Sequence, residues 1–294
     1  MHPPTIRPRR SALYMPAINT RAVRKAAGLS VDTVIFDLED AVAPHKKDEA
    51  RIVIAELLAE LDFAQRELVV RINASDSPWF DDDVAAVATL PIHAVALPKV
   101  ESASVVQGLH ERLARVGAPA ALGIWPMIET PRGVLAAAAI AASHPSVDCL
   151  VMGTSDLAKE LRLDARHSRD GLHHALSHCV LAARATGIDI LDGVCLDIDD
   201  SEIFQRHCEE GRRLGFDGKT LIHPRQLDIC NTVFGVSAAE LDQATAIVAA
   251  WREAEAAGSG VAVVNGKLVE SLHVDEAQRL IAMQRAIEAA NNDA

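Results

Sequence analysis

The chain is poor in cysteine, in aromatic residues and in positive charge. Its five cysteines are scattered over 294 residues and none forms a C-x-x-C pair, which excludes a disulfide framework and a cysteine zinc site. A net charge of -12 provides no positive field for nucleic acid. No apolar run approaches the roughly 20 residues that span a bilayer, and no apolar segment of a secretory signal follows the basic N-terminus. We therefore expect a cytoplasmic protein without membrane or nucleic-acid partners.

The composition that remains is that of a globular protein with one local anomaly. About half of the residues are apolar and 24% are charged, which is an ordinary balance, and the length allows one large domain or two small ones. The anomaly is a basic excess in the first fifth of the chain. It indicates either solvated helix faces with a basic arm or a patch for a phosphorylated ligand. Its members are Arg7, Arg9, Arg10, Arg21, Arg24, Lys25, Lys46, Lys47 and Arg51.

Short β-rich runs alternate with Ala/Leu-rich segments of helical period along most of the chain. Eight such runs over about 235 residues predict an α/β fold, a (β/α)8 TIM barrel. An open doubly wound sheet is the second interpretation, but no G-x-G-x-x-G follows an early run. The predicted strands are 11–15, 33–38, 68–72, 94–97, 121–128, 149–152, 188–191 and 218–222. The predicted helices between them include 48–61, 102–116, 133–143, 171–186 and 201–214.

The last 60 or so residues are more than a barrel needs. Ser237 and Glu240 form a capping-box pattern that opens a helix to about Ala257. Two short β-runs around Asn265-Gly266 predict a hairpin with a type I′ turn, and a final helix follows over 274–290. We predict a catalytic barrel over 1–235 and a helix–hairpin–helix extension over 236–294. The extension either caps the active site or builds an oligomer contact.

Nearly every predicted strand ends in a polar cluster, at the end of a barrel where active sites are built. A single Asp or Thr before a helix is commonly an N-cap, but eight clusters at the same end of eight strands favour an active site. The clusters are residues 14–16 (YMP), 37–40 (DLED), 71–73 (RIN), 98–99 (PK), 129–131 (ETP), 153–156 (GTSD), 192–193 (DG) and 223–224 (HP).

Two of these clusters predict a metal site. Glu129 and Asp156 close adjacent predicted strands, so we expect their carboxylates to lie a few ångström apart. Two oxygen ligands without a neighbouring Cys or His suit Mg²⁺ or Mn²⁺ better than Zn²⁺, and Mg²⁺ keeps open positions for a 2-oxo acid. The alternative for Asp156 is the N-cap of the following turn. Arg71, also at a strand end, either faces an anion or pairs with Glu39 or Asp40.

Seven motifs in this order resemble the citrate lyase β-subunit-like branch of the HpcH/HpaI aldolase superfamily, which includes malyl-CoA, β-methylmalyl-CoA and citramalyl-CoA lyases. The resemblance extends from Arg10 to about Ala282. The motifs are RSALYMP at 10–16, FDLEDAVAPHKKDEAR at 36–51, VRIN at 70–73, LPKVE at 97–101, MIETPRGV at 127–134, MGTSDLAKEL at 152–161 and LGFDGKTLIHPRQ at 214–226.

The resemblance implies a Mg²⁺-dependent carbon–carbon lyase that cleaves or forms a 3-hydroxyacyl-CoA thioester, with glyoxylate or pyruvate as the 2-oxo acid. It implies that Glu129 and Asp156 coordinate Mg²⁺ and that Arg71 contacts the substrate carbonyl oxygens. It also implies a homo-oligomer, a trimer or hexamer, in which the C-terminal extension is a mobile lid over a neighbouring active site. Two pairs complete the implied site: Glu39 and Asp40 contact the metal waters, and Tyr14 and Lys25 bind CoA.

Two positions depart from the family pattern, and several activities stay open. Ala17 stands where the family often has Gly after its first Val-Pro, and Glu270 stands where malyl-CoA lyases carry a lid Asp. In the mechanism we expect, Glu270 transfers a proton at the thioester α-carbon, and the amides of 153–155 (Gly153, Thr154, Ser155) bind the oxo-acid carboxylate. The alternatives are a citrate lyase β subunit acting on a carrier-protein thioester, a shorter 2-oxo-acid aldolase, a malyl-CoA thioesterase and a regulatory barrel without activity.

Overall fold

A computed structural model describes residues 6–164 and 168–292 of the chain. The chain divides into two compact units. One is Arg9–Val233, and the other is Phe234–Ala294 with the residues before Arg9. The two are described separately below.

The first unit is a closed barrel of eight parallel strands within the described residues, so the predicted (β/α)8 fold is confirmed. Each strand pairs with the next along the chain, and the first pairs with the last. The strands are β1 (Ser11–Pro16), β2 (Thr33–Asp37), β3 (Glu67–Arg71), β4 (Ala94–Leu97), β5 (Gly123–Ile128), β6 (Cys149–Met152), β7 (Asp189–Asp192) and β8 (Gly218–Leu221).

Helices connect the strands on the outside of the barrel, as the crossover of parallel neighbours requires. The helix predicted over 133–143 is two short helices, because the backbone leaves helical geometry at Ala136. Four short helices of seven or eight residues were not among those predicted from the sequence. The helices are α1 (Thr20–Ala26), α2 (Lys47–Glu60), α3 (Phe80–Val87), α4 (Ala103–Arg115), α5 (Pro131–Leu135), α6 (Ala137–Ala141), α7 (Thr154–Glu160), α8 (Ser168–Thr186), α9 (Ser201–Leu214) and α10 (Leu227–Val233).

The barrel interior is filled by small and medium apolar side chains around the fully buried Trp125. At the N-terminal end of the barrel, the Arg9 guanidinium lies 4.9 Å from the centre of the Trp125 ring. Arg9 donates two hydrogen bonds of 2.8 Å to Glu67 and one of 2.9 Å each to Asp148 and Asp189. This end is therefore closed by ion pairs, and the opposite end is the one that carries a site.

The second unit contains α11 (Ala238–Ala256), β9 (Ala262–Val264), β10 (Lys267–Val269) and α12 (Ser271–Asn292). The predicted capping box of Ser237 and Glu240 opens α11, and β9 and β10 form the predicted antiparallel hairpin. Its turn residues Asn265 and Gly266 have φ of 50° and 75°, as a type I′ turn requires. Within the described chain, 224–256 is the one stretch long and apolar enough to cross a membrane, but non-helical residues 234–237 divide it into two helices.

Candidate metal and substrate site

Parallel register places the C-terminal ends of β2 and β3 side by side. Asp37 and Arg71 are the last residues of these strands and are register partners. Arg71 donates from Nε and Nη2 to the two carboxylate oxygens of Asp37, at 2.7 and 2.6 Å. Both groups are buried, and a bidentate pair of this kind fixes the plane of the guanidinium. Asp37 was not among the site residues predicted from the sequence, although its place at the end of the strand before Arg71 pointed to it.

The remaining nitrogen of Arg71 faces the acidic loop that follows β2. Nη1 lies 3.0 Å from a Glu39 carboxylate oxygen and 3.6 Å from one of Asp40. The aromatic face of Tyr14 covers the guanidinium at 4.9 Å. Pairing of Arg71 with Glu39 and Asp40 was one of the two alternatives, and the structure adds Asp37 as its strongest partner. Arg71 therefore presents a single nitrogen toward the candidate site.

Glu129 follows β5 and is 1% exposed. Its Oε1 accepts a 2.7 Å hydrogen bond from the backbone N–H of Lys99, which follows β4. Burial, together with the negative charges of Glu39 and Asp156, raises the pKa of Glu129 to about 8, against the backbone hydrogen bond and Arg71. A buried carboxylate that is hard to ionise among other carboxylates is stabilised as an anion by a bound cation.

Gly153, after β6, makes room for the Glu129 side chain. A Cβ at position 153 would lie 2.3 Å from Glu129 Oε2 and 2.4 Å from its Cβ, so only glycine fits there. The amide of Gly153 donates to the Ile128 carbonyl oxygen at 3.0 Å. The hydrogen of this amide is therefore used within the barrel, and its expected contact with a substrate carboxylate stays a prediction. Gly153 leaves free the space that the Glu129 side chain occupies.

Helix α7 begins directly after this glycine and carries Asp156 in its first turn. Its N-cap is Gly153 and has no side-chain cap bond, so the alternative that Asp156 is the N-cap is wrong. Asp156 is half-buried and close enough for its charge to raise the pKa of Glu129. Thr154 is buried and Ser155 exposed. Their predicted contact with substrate stays a prediction.

A buried lysine donates hydrogen bonds to the backbone of the acidic loop after β2. Lys47 Nζ donates to the carbonyl oxygens of Leu38 and Glu39, at 2.7 and 2.6 Å, and to Asn73 Oδ1 at 2.7 Å. Asn73 in turn donates to Asp83 at 2.6 Å, and Arg51 pairs with Asp83 at 2.8 Å. All three donors of the ammonium are used. The network thus fixes the backbone that carries Glu39.

The charges of the site do not balance. Among the described residues, the site brings together five carboxylates (Asp37, Glu39, Asp40, Glu129 and Asp156) and three cations (Lys47, Arg71 and Lys99). When all five carboxylates are ionised, the excess is two negative charges, which one divalent cation neutralises. Glu39 Oε2 is also buried without a hydrogen-bond partner, although Arg71 lies 3.0 Å away.

The donor set fits Mg²⁺ or Mn²⁺. Hard carboxylate oxygens are the ligands these ions prefer, and Mg²⁺ needs only one or two of them because water fills its other positions. Within the described chain, no group of three or more His, Cys, Asp or Glu side chains is arranged to hold a metal. A site with Glu129 and Asp156 as its two protein ligands agrees with that observation.

The other predicted site residues lie at different places. Tyr14 packs inside the barrel mouth on the core and under Arg71, whereas Lys25 is on the exposed face of α1. The structure thus gives the two predicted CoA contacts different surroundings, and their role stays a prediction. Glu270 belongs to the second unit, where its amide donates to His273 Nδ1 at 3.0 Å. Its proton-transfer role also stays a prediction.

A buried ion network supports the end of β7. Asp192 is fully buried and accepts hydrogen bonds from Lys219 at 2.7 Å and from Arg169 at 2.8 and 2.9 Å. Opposite charges lower the pKa of Asp192 against the effect of its burial. The next residue, Gly193, packs so closely on Thr154 that a Cβ would lie 2.2 Å from its hydroxyl oxygen. The network therefore positions the start of α7.

Comparisons with known proteins agree with this arrangement. Residues 10–224 match the family model described as HpcH/HpaI aldolase/citrate lyase. A (3S)-malyl-CoA thioesterase of Cereibacter sphaeroides (strain ATCC 17025 / ATH 2.4.3) is 47% identical over 282 residues, 96% of each chain. The citrate lyase subunit beta of Leuconostoc mesenteroides subsp. cremoris is 34% identical and covers 95% of this chain and 94% of that protein. The crystal structure of CitE from Mycobacterium tuberculosis in complex with magnesium, acetoacetate and coenzyme A is 32% identical, with a TM-score of 0.75, over 94% of this chain and 97% of that one.

Proposed function

The chain belongs to the HpcH/HpaI aldolase/citrate lyase family, as its motifs predicted, and we propose that it hydrolyses a malyl-CoA-type thioester at a divalent-cation site. The observation that carries the proposal is the buried Glu129 and half-buried Asp156 at barrel strand ends, in a site with an excess of two negative charges when its five carboxylates are ionised. The substrate class is supported by the malyl-CoA thioesterase, which is more similar to this chain than the citrate lyase subunit is.

Each residue of the site has a part in this function. Glu129 and Asp156 would hold Mg²⁺, with Mn²⁺ as a substitute. When bound, the ion supplies positive charge that draws electrons from the oxygens of the hydroxy acid. Arg71, fixed by Asp37, holds Glu39 in place beside these ligands through Nη1. Hydrolysis adds a water oxygen to the thioester carbon and breaks its bond to sulfur, and the proton leaves with the CoA thiol.

Carbon–carbon cleavage is the second candidate function. It is favoured by the similarity to a citrate lyase subunit beta over 95% of this chain and to CitE crystallised with magnesium, acetoacetate and coenzyme A. In that reaction the hydroxyl proton leaves and the bond between carbons 2 and 3 of the malyl group breaks. Glu270 is our proposed proton donor to the acetyl carbon. The two reactions share the metal pair and differ in their products.

Incubation with (3S)-malyl-CoA and Mg²⁺ tests the proposal. Hydrolysis yields malate and free CoA in equal amounts, measured by chromatography and by a thiol reagent. Cleavage yields glyoxylate and acetyl-CoA without a free thiol. Chelation of the metal and Glu129→Gln should each abolish turnover, whereas Glu56→Gln, on an exposed position of α2, should leave it intact. Glyoxylate without malate would establish the second candidate, and no product at all would point to a carrier-protein thioester or a regulatory barrel.

A further inference from the structure

Three cations surround the carboxylates of the candidate site in the described chain, and they differ in what they have left to bind. The three N–H groups of the Lys47 ammonium donate to two backbone carbonyl oxygens and to Asn73 Oδ1. Arg71 is held on two nitrogens by Asp37, with the third at Glu39, and its side chain is 11% exposed. The Lys99 ammonium makes one hydrogen bond, of 3.3 Å to Glu39 Oε1, and the side chain is 48% exposed. Lys99 alone of the three has donors directed to solvent.

The backbone of Lys99 has a conformation that is unusual for a residue with a side chain. Its φ is 53°, a left-handed conformation that favours glycine and costs a residue with a side chain about 1 kcal/mol or more. The conformation aims the Lys99 N–H at Glu129 Oε1, and a glycine would make the same bond without strain. The conformation therefore accounts for the backbone contact with Glu129 but not for a lysine side chain at this position. An ion pair of a half-exposed lysine with Glu39 contributes little stability.

Resting on the function proposed above, we propose that the Lys99 ammonium is a catalytic residue that binds the thioester carbonyl oxygen of the substrate. The hydroxyl and neighbouring carboxylate of the malyl group would face the ion held by Glu129 and Asp156. The one acyl oxygen left is that of the thioester, and it gains negative charge when water adds. Donors aimed at such an oxygen are a large source of rate enhancement. The contact of Arg71 with the substrate carbonyl oxygens, which the resemblance implies, stays a prediction.

The product malate offers a test that does not depend on turnover. Hydrolysis leaves malate with a second carboxylate where the thioester was, whereas (S)-lactate has the same hydroxy-acid end and a methyl group in place of the carboxymethyl arm. In the presence of Mg²⁺, the wild type should bind malate more tightly than lactate by about 10- to 100-fold, the effect of one charge-assisted hydrogen bond. Isothermal titration of both acids gives the ratio for each variant.

Lys99→Met should reduce this ratio to near one, and Lys99→Arg should restore part of it. Lys159→Met, the same charge change on an exposed residue of α7, is the matched control and should keep the ratio. Mn²⁺ affinity, measured by electron paramagnetic resonance, should not fall in any variant, whereas loss of a purely structural support by Lys99 would weaken it.

The outcomes separate this inference from the proposed function. A Lys99→Met variant that keeps the malate preference, or loses it only together with Mn²⁺ binding, overturns the role of Lys99 whatever the enzyme does to malyl-CoA. Absence of any malate preference in the wild type overturns it as well. If the ratio collapses as expected in a protein that neither hydrolyses nor cleaves malyl-CoA, the contact stands and the proposed reaction fails.

Discussion

Replacement of Gly153 by alanine is the change most closely specified by the geometry of the site. The new Cβ would lie 2.4 Å from the Glu129 Cβ and 2.3 Å from its Oε2. Carbon atoms in contact sit about 3.5–4.0 Å apart, so the two residues must separate by about 1 Å or more. Position 153 is tied to β5 through the Gly153 amide and the Ile128 carbonyl. The Glu129 carboxylate therefore moves relative to Asp156.

A shift of about 1 Å in a binding constellation costs about 100-fold, and overpacking of a buried position costs about 1–3 kcal/mol. We expect Gly153→Ala to weaken Mn²⁺ binding by that factor while the barrel stays folded. Electron paramagnetic resonance measures the free ion, and circular dichroism follows unfolding in urea. Gly28→Ala is the matched control, because the nearest atom to its new Cβ is a carbonyl oxygen 3.9 Å away.

The Gly153→Ala prediction has an internal check. Because the clash includes the Glu129 Cβ, shortening that side chain does not relieve it, and Gly153→Ala with Glu129→Asp should bind Mn²⁺ no better than Gly153→Ala alone. A Gly153→Ala protein that binds Mn²⁺ as tightly as the wild type would refute the assignment of Glu129 as a metal ligand supported by this glycine. Recovery in the double variant would show that only the carboxylate, and not the backbone, had been displaced.

Two further predictions concern buried charges. The pKa of Glu129 is about 8 in the folded, metal-free protein and about 4.3 in an unfolded chain. The folded state then binds the extra proton, so stability must fall as pH rises from about 4 to about 8. The melting temperature of metal-free wild type should show this fall, and Glu129→Gln or added Mg²⁺ should flatten it; identical pH profiles for wild type and variant would contradict the raised pKa. Asp192→Ala leaves Lys219 and Arg169 buried without their anion and should cost about 3–5 kcal/mol in urea unfolding, against little loss for exposed Asp199→Ala.

The barrel, and the placement of Glu129 and Asp156 at neighbouring strand ends, followed from sequence because short-range patterns set the order of the strands. Alternating strands and helices predict parallel strands, and parallel strands place their C-terminal residues on one rim. That rule was enough to bring Glu129 and Asp156 together from two motifs 27 positions apart in the printed sequence. The hairpin followed from Asn265-Gly266 in the same way. The interruption of the helix at Ala136 could not be predicted from sequence, because an Ala-rich segment has helical propensity throughout.

The partners of the charged side chains were decided by the tertiary structure alone. Asp37 rather than the loop carboxylates takes two nitrogens of Arg71, because register places these residues side by side. Lys47, part of a basic run in the sequence, is buried against the acidic loop. The Gly153 amide donates to the Ile128 carbonyl oxygen of the barrel. Sequence pattern determines which residues reach the rim, since it sets strand order and direction. Which of them remain available for a ligand depends on rotamers and on pairings between distant segments, and these exist only once the barrel is closed.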